Sequence, residues 1–290
     1  MAEPTSVSLA PQGELHLAPK VAIGIVDVAA VGARVLLALQ PPAGWQVREV
    51  ALEVKGLGDG SADGGVLRPV LSASSGPEGD PGPAAPALLV RNIYSPGAAE
   101  DSPQVSLLVV NADVPEGAQA ELAAAMVELA CSGGPGGGAQ GEGQQQAVLL
   151  ASAMLLTQLP SPAGLYQHLI HGAPPAVPLL PPLPLADAAS AAAPSAAAQP
   201  LRVRDGLLAA LLHVMAASGT PACCLLAPGH KPPSSTPLDL PGSAAACDAL
   251  GAALSPALGL SYDPAACRAV RATHKWFVPE KTAGSDIMYL

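Results

Sequence analysis

Val21-Ala22-Ile23-Gly24-Ile25-Val26 is a short apolar run rich in β-branched residues, which is typical of a strand buried at the centre of a sheet. Asp27 follows this run. Apolar residues then recur at helical spacing from Val28 to Leu39, until Pro41-Pro42 stops the helix. A buried strand that leads directly into a helix is the opening unit of an α/β fold.

The same alternation continues along the chain. Further strands are predicted at 46–54, 87–94, 105–110, 147–154 and 221–226, with helices at 115–131, 205–219, 243–254 and 264–275. The strands at 87–94 and 105–110 are expected to be neighbours in a hairpin. We therefore predict an α/β fold, a three-layer sandwich with a mainly parallel central sheet, as a single domain over residues 1–290.

Three low-complexity segments interrupt this pattern, at about 56–86, 132–146 and 172–200. They are dominated by Gly, Pro, Ser and Ala, which cannot form a packed layer of their own. We predict long disordered loops there. The chain from about 278 to 290 contains Pro279 and Gly284 and is predicted to be a flexible C-terminal tail.

Composition limits the possible partners. With 13 basic against 23 acidic residues the net charge is −10, and no basic patch is visible, so a nucleic-acid partner is not expected. With one Phe and two Trp, the core must consist mainly of Leu, Val and Ala, which predicts modest stability that a constitutive partner would raise.

The sequence also favours one compartment. Five cysteines without framework spacing indicate a reducing environment, and the N-terminus lacks the pattern of a secretory signal. The longest apolar stretch, Val21 to Leu39, is interrupted by Asp27 and Arg34, so no membrane span is expected. We expect a cytoplasmic protein and leave a nuclear location open.

Two glycine-rich or acidic features are candidates for ligand sites. Gly56-Leu57-Gly58-Asp59-Gly60 lacks the Lys-Ser/Thr ending of a phosphate-binding loop and precedes no convincing helix. Asp59 and Asp63 lack the alternating oxygen ligands of a calcium loop. Both are interpreted as parts of a structural loop.

Cysteines and histidines give no stronger signal. Cys223 and Cys224 are adjacent, so on a strand they face opposite ways and fit two buried strand residues better than one metal site. His168 and His171 could share a helical face but have no third ligand at diagnostic spacing. With no evident nucleophile and base, we expect no enzyme activity, cofactor or metal, and favour a binding protein.

The last three residues, Met288-Tyr289-Leu290, have the pattern hydrophobic, tyrosine, any residue. Met288 offers an apolar anchor, Tyr289 offers a phenol that also hydrogen-bonds, and Leu290 carries a carboxylate that can pair with a lysine or backbone amides. On a mobile tail these groups suit capture by a pocket, although Tyr289 could equally pack on its own domain or lie in solvent.

Four short motifs follow one another in the C-terminal third. They are Val203-x-Asp205 before the helix with Ala209-Ala210, Pro221-Ala222 at a strand start, Cys247-Asp248-Ala249-Leu250, and the terminal Ile287-Met288-Tyr289-Leu290. Their order and spacing resemble the proteasome assembly chaperones, specifically the proteasome assembly chaperone 1 family. The resemblance covers roughly 200–290 and extends loosely to 21–39. A glycine-rich turn that related chaperones carry after the first strand is missing, which leaves chaperone 1 and chaperone 2 types both open.

The resemblance implies a non-enzymatic chaperone that heterodimerises with a proteasome assembly chaperone 2-like subunit and promotes assembly of the α-ring of the 20S core particle. It also implies that Met288, Tyr289 and Leu290 enter a pocket between proteasome α subunits. The alternative is an enzyme of nucleoside-phosphorylase-like architecture acting on a small molecule, because similar α/β folds serve many functions.

Overall fold

The computed structural model describes residues 7–56, 67–73, 85–99, 102–132, 147–154, 164–178, 180–182, 203, 205–229 and 241–272. The strands in these ranges are β1 (Ser8–Pro11), β2 (Lys20–Gly24), β3 (Leu39–Gln40), β4 (Gln46–Lys55), β5 (Leu71–Ala73), β6 (Leu88–Tyr94), β7 (Val105–Val110), β8 (Val148–Met154), β9 (Tyr166–Ile170), β10 (Ala222–Pro228), β11 (Ser261–Tyr262) and β12 (Val270–Ala272). The helices are α1 (Val31–Ala38), α2 (Gln119–Ser132), α3 (Gly206–Ser218), α4 (Pro241–Leu258) and α5 (Pro264–Ala269), with short 3-10 turns at Val28–Ala30 and Glu116–Ala118.

One eight-stranded sheet forms the centre of the fold, in the order β1-β4-β6-β7-β2-β8-β10-β9. Strands β7, β2, β8 and β10 are mutually parallel. Antiparallel pairs extend the sheet through β6, β4 and β1 on one side and through β9 on the other. Because β4 is antiparallel to β6 and β6 to β7, five of the eight strands point the same way. The predicted α/β class is confirmed, and β2 lies at the centre as expected.

Helices cover both faces of this sheet. Helices α2 and α3 pack on one face, in a cluster with Ile23 and Leu150, and α1, α4 and α5 pack on the other, in a cluster with Ala22 and Ala151. Neighbouring residues of one strand belong to different clusters because side chains alternate along a strand. The structure is therefore the predicted three-layer sandwich.

The strand-to-helix unit at the start of the chain is unusually tight. A Cβ at Gly32, in α1, would overlap the carbonyl oxygen of Ala151 in β8, so only glycine permits this approach. This contact brings the start of α1 directly onto the central strands.

Most predicted elements are present, and several differ. The helix expected at 264–275 ends at Ala269, because β-branched Val270 begins strand β12. The stretch 67–73, predicted as loop, contains strand β5, with Val70 and Leu71 buried. Strands β1, β3, β9 and β11 were not predicted from the sequence. The prediction missed these pieces because each is short and its partner is distant in sequence.

The predicted insertion at 172–200 begins with packed residues. Ala173 is buried, and Gln167 of β9 donates its backbone N–H to the carbonyl of Pro181. The segment around Pro181 therefore covers the outer edge of β9. Most of the other predicted insertions, and the tail from 278, lie outside the described residues. None of the helices in the described ranges is long and apolar enough to cross a bilayer.

Candidate functional site

The predicted docking residues Met288, Tyr289 and Leu290 lie outside the described residues, so their docking stays a prediction. The last described residues are those of β12. The elements that hold β12 in place are the described elements nearest in sequence to the predicted tail. We call α5, β11 and β12 the C-terminal platform.

Helix α5 of the platform is fixed at both ends. The Asp263 carboxylate caps the helix by accepting hydrogen bonds from the backbone N–H groups of Ala265 at 2.8 Å and Ala266 at 3.1 Å. The buried guanidinium of Arg34, in α1, donates to the carbonyl oxygen of Cys267 from Nη2 at 3.2 Å and Nε at 3.4 Å. The positively charged Arg34 side chain thus binds a carbonyl in the last turn of α5, where helix carbonyls lack partners within the helix.

A second set of contacts joins the platform to α4. The Tyr262 hydroxyl donates to Asp248 Oδ1 at 3.0 Å, and Arg268 Nη2 lies 2.9 Å from Asp248 Oδ2. Burial raises the pKa of Tyr262, so the phenol stays protonated and remains a donor. Asp248 belongs to the Cys247-Asp248-Ala249-Leu250 motif, and its role here is to join α4 to both β11 and α5.

Strand β12 pairs antiparallel with β5, and β5 is held by Asn111 at the end of β7. The Asn111 side chain accepts from the Leu71 N–H at 2.7 Å and donates to the Leu71 carbonyl at 3.0 Å. It also lies within 3.2 Å of the Ala85 carbonyl and 3.3 Å of the Pro86 carbonyl. Asn111 therefore joins the chain on both sides of the segment 74–84 to the central sheet.

The sequence prediction missed Asn111. Its signal is a polar residue directly after the apolar run Val105 to Val110, at a point where a buried strand ends. Asn111 is only 1% exposed, and a buried amide must satisfy several donors and acceptors. The sequence cannot say which distant carbonyls satisfy it.

A buried carboxyl lies at the same edge of the sheet. Asp27, after β2, is 3% exposed, and its Oδ2 accepts from the N–H of Ala153 at 2.6 Å and of Gly32 at 3.1 Å. Its Oδ1 has no hydrogen-bond partner among the described residues. Burial raises the pKa of Asp27 to about 8, the backbone N–H groups lower it, and the nearby carboxyl of Asp205 raises it further.

The backbone beside Asp27 is strained. Ala29 has φ 57° and Ala30 has φ 52°, a left-handed conformation that favours glycine. The two bonds from Asp27 hold the turn against β8 and the start of α1, which offsets the cost of that conformation.

This edge is also the place where an α/β sheet commonly binds a ligand. Helix α1 follows β2 onto one face and α2 follows β7 onto the other, so a crevice is expected between the carboxyl ends of these neighbouring strands. Asp205 caps α3 there by accepting from the Leu208 N–H at 2.8 Å, and burial raises its pKa. Among the described residues no group of three His, Cys, Asp or Glu side chains could hold a metal ion.

The other candidate residues have structural positions. Cys223 and Cys224 are buried on β10 and face opposite clusters, as expected. His168 lies on β9, not on a helix, and exposed His171 follows that strand with Nε2 at 2.6 Å from the Ala216 carbonyl oxygen. The glycine-rich stretch at 56–60 and the acidic pair Asp59 and Asp63 stay untested, because residues 57–66 lie outside the described residues.

A shallow open depression of about 430 Å³ lies at the opposite edge of the sheet, near the start of β4 and the end of β6. Its lining includes Arg48, Tyr94 and the turn Ser95 to Ala98. The buried carboxyl of Asp27 and the depression are at opposite ends of the strands, so they do not form one site.

No protein-family model matches this chain, and no curated protein matches it. Solved structures are similar over most of its length. PbaB of Pyrococcus furiosus, an archaeal proteasome activator, has a TM-score of 0.48 and 11% identity, covering 98% of this chain and 97% of that chain. PbaA of Pyrococcus furiosus, an archaeal homolog of proteasome-assembly chaperone, has a TM-score of 0.46 and 11% identity, covering 97% and 92%.

A protein of unknown function from Mycobacterium tuberculosis is similar too, with a TM-score of 0.49 and 12% identity over 99% of this chain and 84% of that chain. With TM-scores below 0.5 and such low identity, these similarities establish neither a family nor a function for this chain.

Proposed function

We propose that this chain is a non-enzymatic proteasome assembly chaperone that promotes assembly of the 20S α-ring. One observation carries the proposal: the ordered series of motifs from Asp205 to Leu290, which ends in Met288-Tyr289-Leu290. In the fold this series corresponds to the capped helix α3, strand β10, helix α4 and helix α5, followed by β12 and the tail.

The proposed partners are a proteasome assembly chaperone 2-like subunit, with which the chain forms a heterodimer, and proteasome α subunits. Met288 enters an apolar part of an intersubunit pocket, Tyr289 adds ring contacts and a hydrogen bond, and the Leu290 carboxylate pairs with a lysine. A three-residue anchor contributes a few kcal/mol, which changes affinity by orders of magnitude when a second surface is already bound.

The platform suits this role because it holds the base of the tail through several independent contacts. Arg34 binds α5, Asp248 binds both Tyr262 and Arg268, and Asn111 holds β5 beside β12. A fixed base keeps the tail near its pocket once the rest of the surface has docked.

The test compares the full chain with a chain lacking Met288 to Leu290, with Tyr289→Ala, and with Tyr289→Phe. Binding to recombinant α-ring intermediates should weaken roughly tenfold or more for the deletion and for Tyr289→Ala, and less for Tyr289→Phe, which keeps the ring. Ser285→Ala, on the same tail, is the matched control and should bind normally. Formation of the heterodimer should be unchanged throughout. If the shortened chain binds α-rings as tightly as the full chain, the proposed docking is wrong.

A second candidate function has one observation in its favour. Asp27 is a buried carboxyl with a pKa of about 8 beside a strained turn at the carboxyl ends of parallel strands, which is where an α/β enzyme places an acid or base. The carboxyls of Asp205 and Asp113 nearby would repel a phosphate, which argues against a phosphorolytic reaction.

A thermal-shift panel of nucleosides, with and without phosphate, separates the two candidates. An enzyme of this type should show a ligand-dependent rise in Tm that Asp27→Asn reduces. A flat result for the intact protein would count against the enzyme and leave the chaperone proposal unaffected.

A further inference from the structure

Strand β4 is paired on both sides only over its second half. On one side β6 pairs with residues Gln46 to Ala51. On the other side β1 pairs only with Leu52 to Lys55, and Gln12 adds one more bond, from its N–H to the carbonyl of Ala51. No strand in the described ranges pairs with the outer side of residues 46–50, which we call the open edge.

The chain that leaves β1 does not run along the open edge. Gly13 has φ 126°, a conformation that favours glycine, and it turns the chain across one face of the sheet. On that face the His16 carbonyl accepts from Asn92 of β6 at 2.8 Å. The Ala18 N–H then donates to Ser106 of β7 at 2.7 Å. The connection from β1 to β2 therefore passes over β6 and β7 rather than beside β4.

Backbone groups along the open edge alternate in direction. The carbonyl of Ala51 points toward β1, so the N–H and carbonyl groups of Glu49 and Val47 point to the same outer side. Those of Arg48 and Gln46 point toward β6. Within the described part of the chain, the outward groups of Val47 and Glu49 have no hydrogen-bond partner. The open edge thus offers two donors and two acceptors in the pattern that an added strand binds.

The depression of about 430 Å³ lies beside the open edge. Its lining consists of the first three residues of β4, Tyr94 and the turn from Ser95 to Ala98. Val47 belongs to this lining and is 37% exposed, and only one other large apolar side chain among the described residues is exposed to that degree. The depression leaves room for side chains of a segment that pairs with the edge.

Arg48 gives the open edge its charge. Its side chain is exposed and has no ion pair among the described residues, and the residue opposite it on β6 is the neutral Asn92. Glu49, by contrast, is already paired with Arg91, since Arg91 Nε lies 2.9 Å from Glu49 Oε1. Arg91 also donates to carbonyls at the end of α1, which holds that pair in place. A carboxylate beside the open edge would therefore find an unpaired partner in Arg48.

We propose that the open edge binds an extended segment of a partner protein, which adds to the sheet as a further strand and places a Glu or Asp opposite Arg48. Alternate residues of an added strand face opposite sides of the sheet, so the residue opposite Val47 lies next to the acidic one and is apolar. The segment is thus recognised as apolar, acidic, apolar in extended conformation. This site is separate from the proposed docking of Met288-Tyr289-Leu290.

A second copy of this chain fits the open edge less well. If Val47 and Glu49 of one copy pair with Glu49 and Val47 of the other, the two Arg48 side chains lie directly opposite each other. Like charges in that position destabilise a strand pair. A segment with a carboxylate instead places opposite charges across the two strands.

A short peptide, Thr-Val-Glu-Val-Thr, capped at both ends and labelled with fluorescein, is the probe. It reads the same in both directions, so it suits a parallel or an antiparallel addition. Fluorescence polarisation, at up to millimolar protein, compares it with Thr-Val-Lys-Val-Thr. The Glu peptide should bind roughly threefold tighter or more, because only it pairs with Arg48.

Charge reversal at the edge gives the matched variants. Arg48→Glu, at an exposed position, should reverse the preference, so that the Lys peptide binds more tightly. Lys55→Glu makes the same change in net charge on the same strand, where β1 is paired. Position 55 is about 23 Å further along the strand, well beyond the screening length at physiological salt. Lys55→Glu should therefore leave the preference unchanged.

Amide hydrogen exchange followed by NMR shows whether the peptide adds as a strand. With saturating Thr-Val-Glu-Val-Thr, the N–H groups of Val47 and Glu49 should exchange roughly fivefold more slowly or less than that rate, because they gain acceptors. The N–H groups of Arg48 and Val50 face β6 already and should not change.

Several outcomes would overturn the proposal. They are no binding of the Glu peptide, equal affinity for the two peptides, no reversal in Arg48→Glu, and binding that leaves Val47 and Glu49 unprotected. Protection of Val47 and Glu49 that rises with protein concentration in the absence of peptide would show that a second copy occupies the edge instead.

Discussion

At the scale of single residues, Asp27 has the most unusual environment among the described residues. Its carboxyl is buried, binds two backbone N–H groups and lies near a second carboxyl. The neutral form is favoured because burial removes water from the carboxyl, and one of its oxygens has no hydrogen bond among the described residues. Sequence alone placed Asp27 after a buried strand but gave no indication of its protonation.

Asp27 should make the stability of the protein depend on pH. Its folded pKa of about 8 lies above the ordinary value of 3.8, so its stabilising contribution is fully present below about pH 4 and is lost as pH rises toward 8. In that window the free energy of unfolding should fall by up to about 1.4 kcal/mol per pH unit. Urea unfolding between about pH 5 and 8 measures it.

Asp27→Asn is the control for this pH dependence, because asparagine mimics the neutral carboxyl in shape and keeps an acceptor for both N–H groups. The variant should flatten the dependence over the same pH range. If the free energy of unfolding falls with pH equally in the variant and in the unchanged protein, other groups cause the pH dependence.

At the scale of elements, the contact between α4 and Tyr262 depends on one glycine. In an exposed helix interior Gly→Ala stabilises by about 1 kcal/mol. A Cβ at Gly251, however, would overlap the Tyr262 ring, which the bond to Asp248 holds in place. We expect Gly251→Ala to destabilise by about 1–3 kcal/mol, because overpacking exceeds the helix gain.

Gly206→Ala provides the comparison for Gly251→Ala in thermal unfolding. At Gly206, in α3, a Cβ would meet only the amide end of Gln119, which can rotate away. The Tm of Gly206→Ala should stay close to that of the unchanged protein, whereas Gly251→Ala should lower the Tm. An unchanged or raised Tm for Gly251→Ala would mean that Tyr262 is not held as the distances indicate.

The elements differ in how far the sequence predicts them. Helix α3 has a cap at Asp205 and a left-handed Gly219 at its end, and its predicted bounds of 205–219 agree with the structure because such end signals are local. Strands β5 and β12 have three residues each and pair across about 200 residues, so no local pattern marks them. The same reason explains why the last helix was predicted too long.

At the scale of the whole molecule, the two apolar clusters on either side of the sheet should set the order of local stability. Amides of β2, β8 and β10 lie in strands with buried neighbours on both faces and should exchange only on global unfolding. Amides of β1, at an edge, and of β12, paired only with β5 among the described strands, should exchange sooner.

Native-state hydrogen exchange followed by mass spectrometry measures this order. Peptides that contain β2 and β8 can be compared with peptides that contain β1 and β12 within one digest. Equal protection of β12 and β2 would mean that the platform is as stable as the core and that the base of the tail never opens locally.

The sequence by itself determined the layers of this protein, because the burial of apolar runs and the capping of helices act over a few residues. It also supplied the terminal Met288-Tyr289-Leu290, whose chemistry needs no fold to be recognised. Only the tertiary structure decided how strands β5 and β12 are held and why burial favours the neutral form of Asp27. Those properties depend on contacts between residues far apart in sequence, Leu71 with Asn111 over 40 positions and Asp27 with Ala153 over 126, and on the exclusion of water from both.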